Sequence, residues 1–422
     1  MKKRFLLSLI LIFGLCSCTT SNKTKENQND LDVKNVLDKF IDDSKNGIPS
    51  WNKESFKGRW NYIDGLFLKS CVSMYKFTND TTYIEFVKNY TSYYLDNDGK
   101  FINIKDNSSS GYNVTELDSV CESYVLFDLY DYTNNKKYVN AINYTYSSLI
   151  DMPICKNSVC YSHKTTYLNQ IWLDGFYMYA PFLVRYNKMN NLSNTSLYRQ
   201  YEYVYENMKD KDKGLYYHGL DTTKTIFWAN KSTGLSENFW LRSNGYLLAS
   251  LMEVIPYFEG SEKAFLSNMA KELSYSLERS SIKGEHGLYM QLIDKGNISK
   301  NVSYDSYLKY LNKAYTKDTV LSNYEETSGN SLIAYAYLLG VENNILDIKY
   351  KDIANDILDK IIKYYYIDSN LTNICITAGL GPYNKVYRDG SIDYYLAEAR
   401  GNNDAKGLGP FIMALIEKQY MA

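Results

Sequence analysis

The sequence predicts an all-α protein, an (α/α)6 barrel in which six helical hairpins close into a toroid. Three observations carry that expectation. Apolar residues recur at helical spacing over most of residues 33–422, which gives about twelve helices. A hairpin-sized motif repeats, with MYKFTNDTTYIEFVKNY (74–90) aligning on LYDYTNNKKYVNAINYT (129–145), 55 residues further on. Connections alternate between short and long, as stacked hairpins require.

The first element is not part of the barrel. MKKRFLLSLILIFGLCSC has a basic start and an apolar run from Phe5 to Leu15, too short to span a membrane as a mature helix, so residues 1–18 read as an export signal. Leu15-Cys16-Ser17-Cys18 resembles a bacterial lipobox, which implies lipidation at Cys18; an ordinary signal peptide cleaved nearby is the alternative. Residues 19–32 are polar and read as a flexible tether. The expected location is the cell envelope, with the lipid anchor as the only membrane contact.

Barrel helices are expected to start near Val33, Tyr62, Thr82, Asp118, Lys136, Gln170, Thr195, Asn238, Ser261, Glu326, Leu346 and Asp404. The repeat returns more loosely at 182–204 and 251–273. Only GLYYHGL and HGLYMQLI read as short strand pieces. An open stack of hairpins is the rival architecture. Closure is favoured because the last helix, KGLGPFIMALIEKQY, is apolar enough to need partners on both sides. The long connections (97–117, 151–169, 210–237, 280–324 and 366–403) then fall at one end, where function usually sits. Asp118, Asp174, Trp240, Arg242 and Glu326 mark the starts of inner helices and are expected to converge on one funnel there.

Composition narrows the function. With 47 basic and 48 acidic residues the net charge is −1, which gives no support for nucleic-acid binding. Three histidines without His-x-x-x-His or Cys-x-x-Cys spacing predict neither a metal site nor a cofactor. Cys71, Cys121 and Cys375 fall in apolar contexts, whereas Cys155 and Cys160 flank a short loop and could pair in an oxidising compartment. The chain has 44 tyrosines and 5 tryptophans, and aromatic faces with polar tips suit a sugar ligand.

Asp174 is the one acid in YLNQIWLDGFYMYAPFLVRY (167–186), and the nearest cation in that stretch, Arg185, is three helical turns away. Burial drives such a carboxyl towards its protonated form unless something pairs with it. Three readings stand: an Asp-Gly turn, a satisfied structural hydrogen-bonder, or a catalytic acid.

The surrounding motifs resemble a known family. SHKTTYLNQIWLDGFYMYAPFL is similar to the His-Lys and Trp-Leu-Asp-Gly-x-Tyr-Met-x-x-Pro-Phe pattern of unsaturated rhamnogalacturonyl hydrolases. These form glycoside hydrolase family 105, related to the unsaturated glucuronyl hydrolases of family 88. RWNYIDG (59–65), ELDSV (116–120), LYYHGLD (215–221), NFWLRSNGY (238–246), EETSGN (325–330) and the 377–411 segment follow in order, so the resemblance covers residues 55–420. It implies the (α/α)6 fold and a hydrolase that protonates C4 of a 4,5-unsaturated uronic acid and adds water at C5. Asp174 would be the general acid and Asp118 its partner.

By the same resemblance His163, Lys164, Thr165, Thr166 and Tyr167 would line the sugar site, His218 would contact the sugar, and Arg242 would clamp the uronate. Trp60, Asn61, Tyr62 and Trp240 would flank the ligand, and the Ala378-Gly379 turn would bring backbone to it. Tyr246 stands where members often have Trp, and Ala399 follows Glu398 where Pro is frequent. Those departures leave the sugar beside the uronate open. The implied substrate is a lyase-generated oligosaccharide, of rhamnogalacturonan or another type. The rivals are a conventional inverting glycosidase and a non-catalytic glycan-binding lipoprotein.

Overall fold

The computed structural model describes residues 31–44, 60–102, 114–301, 320–383 and 386–422. The export signal, Cys18 and most of the tether lie outside the described residues.

Thirteen α-helices are present among the described residues. They are α1 (Val33–Asp42), α2 (Tyr62–Thr78), α3 (Thr81–Ser92), α4 (Val125–Thr133), α5 (Lys136–Ile150), α6 (Gly175–Asn190) and α7 (Thr195–Met208). Next come α8 (Leu241–Val254), α9 (Gly260–Ser280), α10 (Thr327–Glu342), α11 (Lys349–Tyr365), α12 (Ile392–Ala397) and α13 (Ala405–Tyr420). A 3₁₀ segment, Leu117–Tyr124, leads into α4.

Packing sorts these helices into two layers. The inner ring runs α2, the 3₁₀–α4 unit, α6, α8, α10 and α13, and α13 returns to pack on α2. That closes the ring and excludes an open stack. Inner helices are buried almost all round, as in α8, where Leu241 to Met252 is an unbroken buried run. Outer helices bury one stripe: in α11 it is Tyr350, Ala354, Ile357, Leu358 and Ile361, at helical spacing. Each of the Ile and Leu side chains contributes roughly 1.5–3 kcal/mol. At the closing seam Gly409 lies against α2 so tightly that a Cβ there would sit 2.6 Å from the Leu66 carbonyl oxygen.

The 55-residue repeat has a local cause. Asn79 and Asn134 end α2 and α4 in the left-handed region, at φ 57° and 54°, a conformation that Asn tolerates better than most residues. The preceding Thr78 and Thr133 hydroxyls donate to carbonyls one turn back, at 2.8 and 2.6 Å. Asp80 and Asn135 then cap the next helices by accepting from Thr82 and Lys137 backbone N–H groups, each at 3.0 Å. Asn191, at φ 54°, ends α6 in the same way.

Several helix starts differ from the sequence expectation. The expected helix at Gln170 begins only at Gly175, because β1 (Gln170–Trp172) pairs antiparallel with β2 (Gly219–Asp221). The helix expected at Asn238 starts at Leu241 and that at Leu346 starts at Lys349. Asp118 lies in the 3₁₀ segment rather than in an α-helix. Cys155 and Cys160 are both free and buried. Their sulfurs face different partners, the Ser162 hydroxyl at 3.4 Å and the Gln200 carbonyl at 3.6 Å.

Candidate active site

Two backbone clamps assemble the site from distant segments. Residues 115–117 run beside 163–165, with Leu117 N–H donating to the His163 carbonyl at 3.0 Å and Thr165 N–H to Thr115 at 2.8 Å. This sets Asp118 beside His163. The β1–β2 pair extends to Leu173, whose N–H donates to the His218 carbonyl at 2.9 Å, and sets Asp174 beside His218.

Asp174 is the N-cap residue of α6, yet its side chain makes no capping bond. Contrast Asn61, Glu326 and Asp404, whose side chains all cap the helices they precede. The Asp174 carboxylate is therefore left for another task. Gly175 is not there for a left-handed turn. A Cβ at that position would lie 3.0 Å from His163 Nδ1 and 3.2 Å from Leu117, so glycine makes room for the histidine.

One donor atom each from Asp118, His163 and Asp174 lies within 4.8 Å of the other two. His163 Nε2 is 3.7 Å from Asp118 Oδ1, and His218 Nε2 is 3.4 Å from Asp174 Oδ1. Both histidines are fully buried, at 1 % and 0 % exposure, while the Asp118 and Asp174 side chains keep 16 % and 14 %. Among the described residues Asp118 Oδ1, Asp174 Oδ1, His163 Nδ1 and His218 Nε2 are all buried without a hydrogen-bond partner. Unsatisfied groups gathered at one place mark a binding or catalytic site rather than a core.

The two carboxyls differ in charge. Burial lifts Asp118 to about 7; Lys164 opposes the rise, and Glu116 and Asp174 reinforce it. Burial also lifts Asp174, but the His218 imidazole, 3.4 Å from Oδ1, with a smaller part from His163, outweighs it and leaves the group below its usual range. This corrects the sequence argument that burial keeps Asp174 protonated: the raised member of the pair is Asp118. Burial drives His163 down to about 3, so it is neutral.

A floor of aromatic rings lies beneath. Trp172 stacks on His163 at 4.3 Å and on Tyr167 at 5.4 Å. Lys164 is one-quarter exposed, pairs with Glu116 and sits 3.8 Å from Asp118 Oδ2. Thr165 and Thr166 are exposed at the rim. Tyr167 donates from its hydroxyl to the Pro382 carbonyl at 3.0 Å. Tyr62 is partly exposed and shares its surroundings with Tyr246, Asp118 and Arg242.

Other expected contacts are placed differently. Trp60 is buried edge-on to Tyr94 and Phe101, with its N–H donating to Ser123 at 3.2 Å, so its ring is committed to the core. Asn61 is spent on capping α2. Glu326 caps α10 and also accepts from the Cys375 N–H at 2.9 Å. Ala378 is buried. The space over Gly379 is filled by Arg388, whose guanidinium would lie 2.3 Å from a Cβ there.

Trp240 and Tyr246 are each only 2 % exposed, and so is Arg242. The Arg242 guanidinium lies 4.7 Å from the Trp240 ring centre, and its Nη1 donates to Ser328 at 3.2 Å and to the Cys375 carbonyl. Arg242→Lys keeps the charge and loses the fork. It is expected to cost about 1–3 kcal/mol of stability by urea titration, together with a fall in kcat/KM. Burial adds this folding cost to the uronate-clamping role that the resemblance implied. Unchanged kcat/KM would place Arg242 outside the substrate machinery.

The Asp118–His163–Asp174 group was missed as a possible cation site because its members come from separate segments. Its three donor atoms could surround one ion, but the Lys164 ammonium beside Asp118 and the unpartnered His163 Nδ1 are poor company for a divalent cation. The RDGS run 388–391 reads as structural in the sequence, in keeping with Arg388 filling the space over Gly379; sequence reasoning passed over Trp172 and Tyr395. Both lay inside quoted motifs, but nothing in the pattern singles out Tyr395.

A ring of helical hairpins with a carboxyl pair at its loop end is the architecture of a glycosidase family. The model of glycosyl hydrolase family 88 matches residues 33–308 and 303–422, and the chain belongs to that family, within the related family 88 and 105 unsaturated glycuronyl hydrolases. It therefore acts on oligosaccharides that carry an unsaturated uronic acid. A family 105 glycoside hydrolase from C. acetobutylicum ATCC 824 is 28% identical, with a TM-score of 0.75 over 92% of this chain and 99% of that one. A possible family 105 member from Salmonella enterica shares the fold, with TM-score 0.70 and 16% identity over 95% of this chain and 97% of that one. Protein Atu3128 of Agrobacterium fabrum is 29% identical over 219 residues, 50% of this chain and 84% of its own length.

Proposed function

We propose that the chain releases a 4,5-unsaturated uronic acid from the non-reducing end of lyase-generated oligosaccharides, those of rhamnogalacturonan type first. The observation that carries the mechanism is the Asp118–Asp174 pair, with one oxygen of each within 4.8 Å, Asp118 raised to about 7 and Asp174 held low. A conventional inverting pair leaves about 6.5–9.5 Å between its carboxyls for a water, and the close approach of these two argues against that rival.

The pair acts as one acid–base unit, since coupled carboxyls titrate together. Its proton goes to C4 of the enol ether, which leaves an oxocarbenium ion at C5. Water adds at C5 and gives its proton to the carboxylate, restoring the pair. The hemiketal then opens by breaking C5–O5, and the hemiacetal formed at C1 expels the remaining sugar as an alcohol. Lys164, the cation that reaches solvent here, faces the uronate, with Tyr62, Thr165, Thr166 and Tyr167 around the ring and Trp240, Arg242 and Tyr246 behind it. The N-terminal signal and Cys18 support a lipid-anchored envelope enzyme that works beside a polysaccharide lyase.

The test is a panel of lyase-digested pectins and glycosaminoglycans, followed by loss of the unsaturated-bond ultraviolet absorbance. Rhamnogalacturonan fragments are expected to react fastest, saturated counterparts to be inert, and chelators to leave the rate unchanged. Comparable cleavage of saturated sugars, or a strict need for a divalent ion, would overturn the mechanism. Faster turnover of glycosaminoglycan fragments would instead reassign the substrate.

A further inference from the structure

His218 is held from both sides. Its Nε2 faces Asp174 Oδ1 at 3.4 Å, and its Nδ1 lies 2.6 Å from the Tyr395 hydroxyl. His218 and Tyr395 are both fully buried. Among the described residues the Tyr395 hydroxyl has no other hydrogen-bond partner, so its proton has one available acceptor, the Nδ1 lone pair. With Nδ1 accepting, the ring proton of His218 sits on Nε2 and points at Asp174. Any other protonation pattern leaves a buried phenolic O–H without an acceptor, and the opposite tautomer also aims a lone pair at a carboxylate oxygen.

The elements that hold Tyr395 are fixed for this purpose. It sits on the short helix α12, anchored where the Asn238 side chain donates to the Gly390 carbonyl at 2.8 Å. The Asn238 backbone carbonyl accepts from the His218 N–H at 3.4 Å. The neighbouring Tyr394 hydroxyl accepts from Gly379 N–H at 2.9 Å, which ties α12 to the 378–379 turn. One residue, Asn238, thus anchors both the histidine and the helix that carries the tyrosine.

We propose that Tyr395 is a positioning residue: it fixes the His218 tautomer, so that Nε2–H holds Asp174 as the charged, proton-accepting member of the carboxyl pair. The role rests on the acid–base reading of that pair and adds a third layer, Tyr395–His218–Asp174, that joins three motifs distant in sequence.

The test is nitrogen-15 NMR of the histidine-labelled protein, which has only three histidines to assign, read with steady-state kinetics. In the wild-type chain the His218 proton is expected on Nε2, with Nδ1 showing the shift of an acceptor. Tyr395→Phe is expected to lose that acceptor shift and to lower kcat by about 10- to 100-fold, the range seen for the outer partner of a functional histidine, with KM little changed. A wild-type proton on Nδ1 would refute the positioning role, even if the variant failed to fold. Full kcat in folded Tyr395→Phe would refute it too. Should the wild-type chain cleave no unsaturated sugar, the tautomer would still be read directly, so failure of the function and failure of this role are distinguishable.

Discussion

Asp174→Asn is expected to fold and to lose turnover by about 10²–10⁴, the usual contribution of a positioned acid–base group. Asparagine keeps the shape and still accepts from His218, but it can neither take nor give the proton. Substrate binding is expected to persist. The stability sign follows from the depressed carboxyl: it contributes stability above its unfolded-state value that is lost as pH falls through the folded one. At neutral pH the Asn variant is therefore expected to melt slightly below wild type. A folded Asn variant with full activity would remove Asp174 from the chemistry.

Asp118→Asn should cost turnover on the same scale, about 10²–10⁴, with the opposite stability sign. Its carboxyl is raised to about 7, so it contributes stability at acid pH that is lost as pH rises through that value. Removing it should raise the melting temperature most above pH 7. Wild-type activity is expected to fall on the alkaline side as the pair loses its shared proton near 7. That limb should disappear from whatever activity Asp118→Asn keeps. Matched pH–rate and pH–melting profiles of the two variants check both signs, and identical profiles would mean that the carboxyls do not divide the proton as described.

Much of this arrangement was legible in the chain. Helical periodicity and the Thr-Asn repeat predict the hairpins, because the Asn79 and Asn134 left-handed caps are local and leave a local signature. The isolation of Asp174 in an apolar stretch marks the catalytic candidate. What was hidden depends on tertiary neighbours. The charge state of Asp174 is set by His218, 44 positions away in sequence, and no pattern around Asp174 reveals it. Trp60 and Asn61 belong to a quoted motif, but only packing shows that one fills the core and the other caps a helix. Gly379 looks like a ligand-facing glycine until Arg388 is seen to occupy its space.

The seam where α13 meets α2, with Gly409 against the Leu66 carbonyl, bears on how the protein comes apart. An open stack of hairpins can fray from either end, each terminal unit giving up one interface while the rest stays folded. A closed ring has no terminal unit, so releasing any hairpin breaks two interfaces and leaves two exposed apolar walls. Partial opening is then the costliest course, and unfolding tends towards a single cooperative event. Since the acid pair, its histidines and Tyr395 come from different sectors of that ring, no sector can loosen without dismantling the funnel. The enzyme's working life is thereby tied to its least stable interface, wherever in the circle that lies.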